Sequence, residues 1–291
     1  MDLRGKKVLI TGAASGIGYA IAHALARQGA LLALAARNAE RLEHLADEIA
    51  TAGHARPVVL TTDLSRLGGA ELLAARATAA LGTVDILINN AAVEGFGSYS
   101  TAGDSRESRE LFETNYWSPM VLVRALLPAM QSRGSGALVN VSSLGAITPI
   151  SGTGHYASSK AALAIATEAL RSELRGSGVQ VVLVYPGFVD TPMLWAFKAR
   201  ADLASRTRRS LSLMPVGRPE ALAALVVRAL RRGRRTVVYP RSYAVTPLVP
   251  AVSRWFTGLL FVPPGSQVAS DTTPRRCCGW TSLIGRHREA T

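Results

Sequence analysis

Tyr156 and Lys160 stand four residues apart in Tyr156-Ala157-Ser158-Ser159-Lys160, a stretch that opens a long helical pattern. On a helix that spacing puts both side chains on one face. A phenol with a reference pKa of about 10 must fall by about 3 units, or about 4 kcal/mol, to exchange protons near neutrality. One ammonium about 4 Å away in an effective dielectric of about 20 supplies a free energy of that size. The pair is therefore a candidate acid/base unit.

A second constellation is Thr11-Gly12-Ala13-Ala14-Ser15-Gly16-Ile17-Gly18, between an apolar run and a helical one. Glycines there allow a tight turn and a close approach of backbone to a pyrophosphate, whose charge the helix amino terminus attracts. The loop suits a dinucleotide, with Gly12, Ser15, Gly16, Ile17 and Gly18 as its contacts. An acidic residue at the end of the next strand would bind the ribose hydroxyls of NAD and repel the phosphate of NADP. The chain instead reads Ala35-Ala36-Arg37-Asn38, and Arg37 can form charge-assisted bonds to a phosphate. NADP(H) is favoured, and NAD(H) stays open as an alternative.

These residues need a scaffold, and the sequence supplies one. Seven short apolar runs, from Lys7 to Thr11 through Thr236 to Tyr239, alternate with helical patterns that include 16–27, 40–50, 69–81, 105–130, 156–175 and 219–231. The alternation predicts an α/β fold: a doubly wound, three-layer parallel sheet of Rossmann-like type, buried on both faces. Residues 1–241 form the dinucleotide-binding and catalytic domain in this reading. Residues 188–215 lack a strand signal and are a candidate lid. From Ser242 the prolines at 247, 250, 263, 264 and 274 predict that no helix forms, so 242–291 reads as a basic, proline-rich, partly disordered extension.

Three further segments complete a family pattern. They are Asn89-Asn90-Ala91-Ala92 after the fourth strand, Ser143 after the fifth, and Pro186-Gly187-Phe188-Val189-Asp190-Thr191 after the sixth. With the Gly-x-x-x-Gly-x-Gly loop and Tyr156-x-x-x-Lys160, these residues resemble the short-chain dehydrogenase/reductase family over about residues 3–240. The resemblance implies reversible hydride transfer between a nicotinamide and a carbonyl or secondary alcohol. It implies that Tyr156 exchanges the proton, and that Ser143, 13 residues earlier, orients the substrate. Neighbouring Ser142 is the competing candidate. It further implies that Asn115 supports a proton relay behind Lys160, and that Lys160 also bonds the nicotinamide ribose. Asp63 and Leu64 would lie near the adenine, Asn90 and Ala91 beside the cofactor, and Pro186, Gly187, Val189 and Thr191 against the nicotinamide amide. No metal is implied. Ala92 departs from the family's usual glycine, and Ser15 stands where another common basic anchor for NADP would be.

Phe96, Phe188, Met193, Leu194, Trp195 and Phe197 lie in segments flanking the catalytic end of the sheet and suggest an apolar pocket, with Phe96, Phe188, Met193 and Trp195 as candidate contacts for an apolar substrate. The helix from Ala157 to Leu174 has apolar residues on nearly every face and asks for burial on two sides. In the family such a helix builds a subunit interface, so a homodimer or homotetramer is expected.

The 291 residues carry a net charge of +13, and residues 198–291 account for it with 17 basic against 4 acidic side chains. Arg231, Arg232, Arg234 and Arg235, with the apolar run from Trp255 to Val262, suggest peripheral contact with an anionic membrane. Basicity alone does not predict nucleic-acid binding. Two adjacent cysteines, Cys277 and Cys278, cannot build a disulfide framework, and the amino terminus shows no signal peptide, so a cytoplasmic location is expected. Two other classes compete with an NADP(H)-dependent enzyme: a dinucleotide-sensing regulator on the same fold, and a membrane-surface scaffold. A sensor would need the glycine loop but not Ser143, Tyr156 and Lys160.

Overall fold

The computed structural model describes residues 1–97, 99–199 and 213–261. Seven strands form one parallel sheet in the order β3-β2-β1-β4-β5-β6-β7. They are β1 (Lys7–Thr11), β2 (Leu31–Ala36), β3 (Val58–Thr61), β4 (Ile86–Asn89), β5 (Gly136–Val141), β6 (Val179–Pro186) and β7 (Thr236–Tyr239). Alternation along each strand divides the core. Val8, Ile10, Ile86, Ile88, Val139 and Val182 pack toward α1 (Gly16–Ala26), α2 (Ala39–Thr51) and, further along the chain, the helix Pro219–Arg232. Leu9, Leu87, Leu138 and Val181 pack on the opposite face toward α3 (Gly69–Leu81) and the helix Ser118–Ser132. Strands covered on both sides must be largely apolar, and these are, with Thr11, Asn89 and Asn140 buried among them through side-chain hydrogen bonds.

The remaining helices are α4 (Tyr99–Ala102), α5 (Arg106–Phe112), α6 (Ser118–Ser132), α7 (Gly154–Glu173), α8 (Pro192–Lys198), α9 (Pro219–Arg232) and α10 (Pro250–Phe261). The single helix expected over 105–130 is broken by one π turn, Glu113–Trp117, in which the Ser118 amide donates to the Glu113 carbonyl. Pro119 explains the break. It has no amide to offer the Asn115 carbonyl one turn earlier, and its ring crowds that carbonyl.

The extension also differs from expectation. Pro250 begins α10 rather than preventing it, because a first-turn amide has no helical partner to lose. Residues 200–212, within the candidate lid, and 262–291, with both cysteines, lie outside the described residues. The arginine cluster at 231–235 precedes β7, whereas Trp255 follows it. Among the described residues no helix is long and apolar enough to cross a membrane.

Candidate active site

Sheet order reverses between β1 and β4, and the crevice outside their carboxyl ends is where such sheets bind ligands. A cavity of about 820 Å³ occupies it. At one end lie Gly12, Ser15, Gly16, Ile17, Arg37, Asp63, Leu64, Asn90 and Ala91, and at the other Ser143, Tyr156, Lys160, Pro186, Gly187, Val189 and Thr191. Nucleotide loop and acid/base pair thus share one space.

The glycine loop is built for close approach. Gly12 and Gly16 have φ of 66° and 56°, in the left-handed region that favours glycine. A Cβ on Gly12 would stand 2.7 Å from Ala91 Cα. Asn90 holds the loop in place: its Nδ2 donates to the Thr11 and Gly12 carbonyls at 3.0 and 3.1 Å. Gly18 does not line the cavity. A Cβ there would come within 2.3 Å of the Gly12 carbonyl oxygen, so its role is to let α1 seat against the loop. These features fit a dinucleotide: a backbone cradle without side chains, at the amino end of an 11-residue helix.

At the end of β2 the cavity wall is Ala36, Arg37, Asn38 and Arg41. The Asn38 side chain caps α2 by accepting from the Arg41 amide at 2.8 Å, which brings Arg41 to the same wall. Sequence reading missed Arg41, although its place one turn into a capped helix was a usable signal. Asp63 accepts from the Ser65 amide and hydroxyl at 3.0 and 2.8 Å. Burial works to raise its carboxyl, but those bonds, with Arg37 and Arg66 nearby, hold it below the usual range.

Ser143 lies at the carboxyl end of β5 and caps the 3-10 turn Leu144–Ala146, its Oγ accepting from the Gly145 amide at 3.0 Å. Its hydroxyl is also near enough to the Tyr156 phenol to work toward lowering its pKa. Ser142, the competing candidate, turns instead to donate to the Lys160 carbonyl at 2.7 Å. Lys160 is buried, and its Nζ donates to the Val141 carbonyl at 2.8 Å.

The electrostatics depart from the sequence argument. Burial pushes the Tyr156 phenol up to about 12, with the Glu94 carboxylate adding to the rise and the Ser143 hydroxyl opposing it. Burial alone pulls Lys160 down to about 7. A buried ammonium that readily gives up its proton exerts little field on a neighbouring phenol. The expected lowering of Tyr156 by Lys160 is therefore absent from this arrangement.

Asn115 is 0% exposed and lies behind the cavity rather than in its wall. Its Oδ1 accepts from the Val93 amide at 2.9 Å, and its Nδ2 donates to the Val93 carbonyl and to Ser159 Oγ, both at 3.0 Å.

Of the four candidate substrate contacts, Phe96, Phe188 and Met193 line the cavity, while Trp195 does not. Trp195 is 63% exposed, and its indole donates to Asp190 at 2.8 Å on the outer side of α8. Helical spacing turns Leu194 and Phe197 inward in its place, where they pack with Phe96, Ile150, Phe188 and Met214. The rings of Phe96 and Phe197 stack with centroids 5.6 Å apart. Sequence reading also missed Tyr243, Thr246, Ser253, Phe256 and Thr257, which reach the cavity from the extension. No local motif marks them.

A family model described as short chain dehydrogenase matches residues 6–202. The ketoacyl reductase HetN of Nostoc sp. is 33% identical over 259 residues, covering 87% of this chain and 85% of its own. A short-chain dehydrogenase from Sphingobium yanoikuyae in complex with NADPH superposes with a TM-score of 0.73 at 27% identity, over 91% of this chain and 99% of that one. A short chain dehydrogenase/reductase from Burkholderia phymatum in complex with NAD gives 0.74 at 27% identity, over 86% of this chain and 94% of that one. The two complexes hold different nicotinamide cofactors, so likeness to them does not select between NADP and NAD.

Proposed function

The chain belongs to the short-chain dehydrogenase family, and from that premise we propose that it is an NADP(H)-dependent oxidoreductase acting on the carbonyl or secondary alcohol of an apolar substrate. The observation that carries this reading is the convergence of Ser143, Tyr156 and Lys160 on the cavity that holds the glycine loop. A bound nicotinamide supplies the hydride in reduction and takes it back in oxidation. Tyr156 donates its proton to the carbonyl oxygen as the carbon becomes tetrahedral, and it accepts the alcohol proton in the reverse direction. Ser143 orients the same oxygen, and Lys160 holds the ribose side of the nicotinamide.

Preference for NADP(H) rests on Arg37 and Arg41 at the β2 end and on the absence of a carboxylate at Ala36. The apolar substrate rests on the Phe96, Ile150, Phe188, Leu194, Phe197 and Met214 cluster. The reading carries a homodimeric or homotetrameric assembly through α7 and a cytoplasmic location. Peripheral membrane contact is a separate proposal resting on exposed Leu248, Val252 and Trp255. Co-sedimentation with anionic liposomes tests it.

The activity is tested by following NADPH oxidation with ketones, aldehydes, 3-oxoacyl thioesters and steroids. Wild-type protein should turn over at least one class, and Tyr156→Phe should lower that rate by about 10²–10⁴. Equal rates for the two proteins would remove Tyr156 from the chemistry.

A further inference from the structure

The extension forms a wall of the cavity. Tyr243, Thr246, Ser253, Phe256 and Thr257 line it together with Tyr156 and Phe188. Three contacts distant in sequence hold this wall. Arg254 Nε donates to the Ile147 carbonyl at 3.0 Å, in the loop that begins at Ser143. The Tyr243 hydroxyl donates to the Pro215 carbonyl at 3.3 Å. Its ring lies over Gly187, where a Cβ would stand 2.9 Å from the ring carbons. The extension is thereby joined to the Ser143 loop, to the segment that follows α8, and to the end of β6.

The wall has a definite chemistry. Thr257 Oγ1 donates to the Ser253 carbonyl at 2.8 Å, and Ser253 Oγ donates to the Thr246 carbonyl at 3.4 Å. The hydroxyl protons are thus engaged with backbone, leaving the Thr257 methyl and the Phe256 ring as the surface a ligand would meet. Val252 and Trp255 do not line the cavity, whereas Phe256, itself 56% exposed, does. Where Ser253 and Thr257 form the wall their donors are already engaged, which favours a hydrocarbon body there over a sugar or a charged tail, whose polar groups would lose water without replacement bonds.

We propose that α10 sets substrate specificity: Phe256 and Thr257 fix the size of the apolar body accepted beside Tyr156. Arg254 is a positioning residue that holds this wall against the Ser143 loop. The inference rests on the oxidoreductase reading and adds to it which segment selects the substrate. Because one methylene in an apolar pocket changes selectivity by about 10–200-fold, small changes here have large effects.

The experiment measures kcat/KM with NADPH across cyclic ketones from one ring to four. Thr257→Trp should lower the four-ring to one-ring ratio at least tenfold, with Thr257→Leu shifting it in the same direction. Phe256→Ala should raise the ratio. Arg254→Met should raise the KM of the larger ketones while leaving the KM for NADPH within twofold, and Arg254→Lys, which keeps a donor, should restore part of the loss. Size profiles parallel to wild type in all of these variants would overturn the proposal. If wild type oxidises NADPH with no ketone, the oxidoreductase reading fails, and the wall is then judged by binding of the apolar probe 1-anilinonaphthalene-8-sulfonate. Tenfold weaker binding to Thr257→Trp than to wild type supports the wall, and equal binding overturns it.

Discussion

Lys160 Nζ donates to the carbonyl of Val141 at 2.8 Å, which places the only lysine of α7 inside the sheet–helix interface. Burial lowers it from an ordinary 10.5 to about 7. Between those values the unfolded chain holds a proton that the folded chain releases, so stability rises with pH through the window and is lost as pH falls toward 7. Replacing the lysine by methionine removes this dependence. Thermal unfolding of wild type and Lys160→Met at pH 7, 8 and 9 should show wild type gaining on the variant by at most about 1.4 kcal/mol per pH unit. Parallel curves would mean that Lys160 keeps its proton in the folded chain.

Arg37 and Arg41 face the cavity at the end of β2, where Ala36 carries no charge. A hydrogen bond to a charged group contributes about 1.5–3 kcal/mol, so losing one weakens binding by about 10–100-fold. Arg37→Ala should therefore raise the KM for NADPH at least tenfold while changing that for NADH about twofold or less. Ala36→Asp should shift preference toward NADH by repelling the 2′-phosphate. Equal effects of Arg37→Ala on both cofactors would remove the arginine from the phosphate site.

What was legible in the sequence was local. The Tyr156–Lys160 spacing, the glycine loop and the seven apolar runs each depend on residues within one or two turns, and the structure places them as the periodicity requires. The 13-residue spacing to Tyr156 selects Ser143 over Ser142, and the fold shows what separates them physically: the Ser142 hydroxyl is taken up by the Lys160 carbonyl, while Ser143 caps the turn beside Tyr156. Trp195 was misread because α8 is an amphipathic helix of only about two turns, and its rotation is set by packing of Leu194 and Phe197 that no neighbour in sequence reveals. The wall from the extension was invisible for a similar reason. Arg254 meets Ile147 across 107 residues, and prolines that usually mark irregular chain instead mark where α10 begins.

Gly18 has an ordinary φ, so its need for glycine is steric alone. A Cβ would sit 2.3 Å from the Gly12 oxygen and 2.5 Å from Asn90 Nδ2. The first of these atoms is backbone and cannot rotate away. Overpacking of this kind costs about 1–3 kcal/mol. Gly18→Ala should lower the unfolding midpoint by several degrees and weaken NADPH binding, because α1 must withdraw from the loop it supports. Wild-type values for both would show that helix and loop can separate freely.

Asn115 joins two segments that must agree in position. Through Val93 it fixes the chain leading to Glu94 and Phe96, and through Ser159, whose hydroxyl donates to the Tyr156 carbonyl at 2.8 Å, it fixes the first turn of α7. Alanine would leave the Val93 amide and carbonyl without these partners, at about 1–3 kcal/mol for each group left buried and unpaired. Asn115→Ala should therefore lower the unfolding midpoint and raise the substrate KM as the Phe96 segment drifts from the cavity. Asn115→Asp keeps the acceptor for the Val93 amide but sets a second oxygen, on a buried carboxylate, against the Val93 carbonyl, so its effects should be at least as large as those of alanine. Ser159→Ala cuts the link to α7 alone and should act on kcat more than on substrate KM. If Ser159→Ala and Asn115→Ala change the same constant by the same factor, the asparagine acts through α7 only, and its two bonds to Val93 do not govern the substrate end of the cavity.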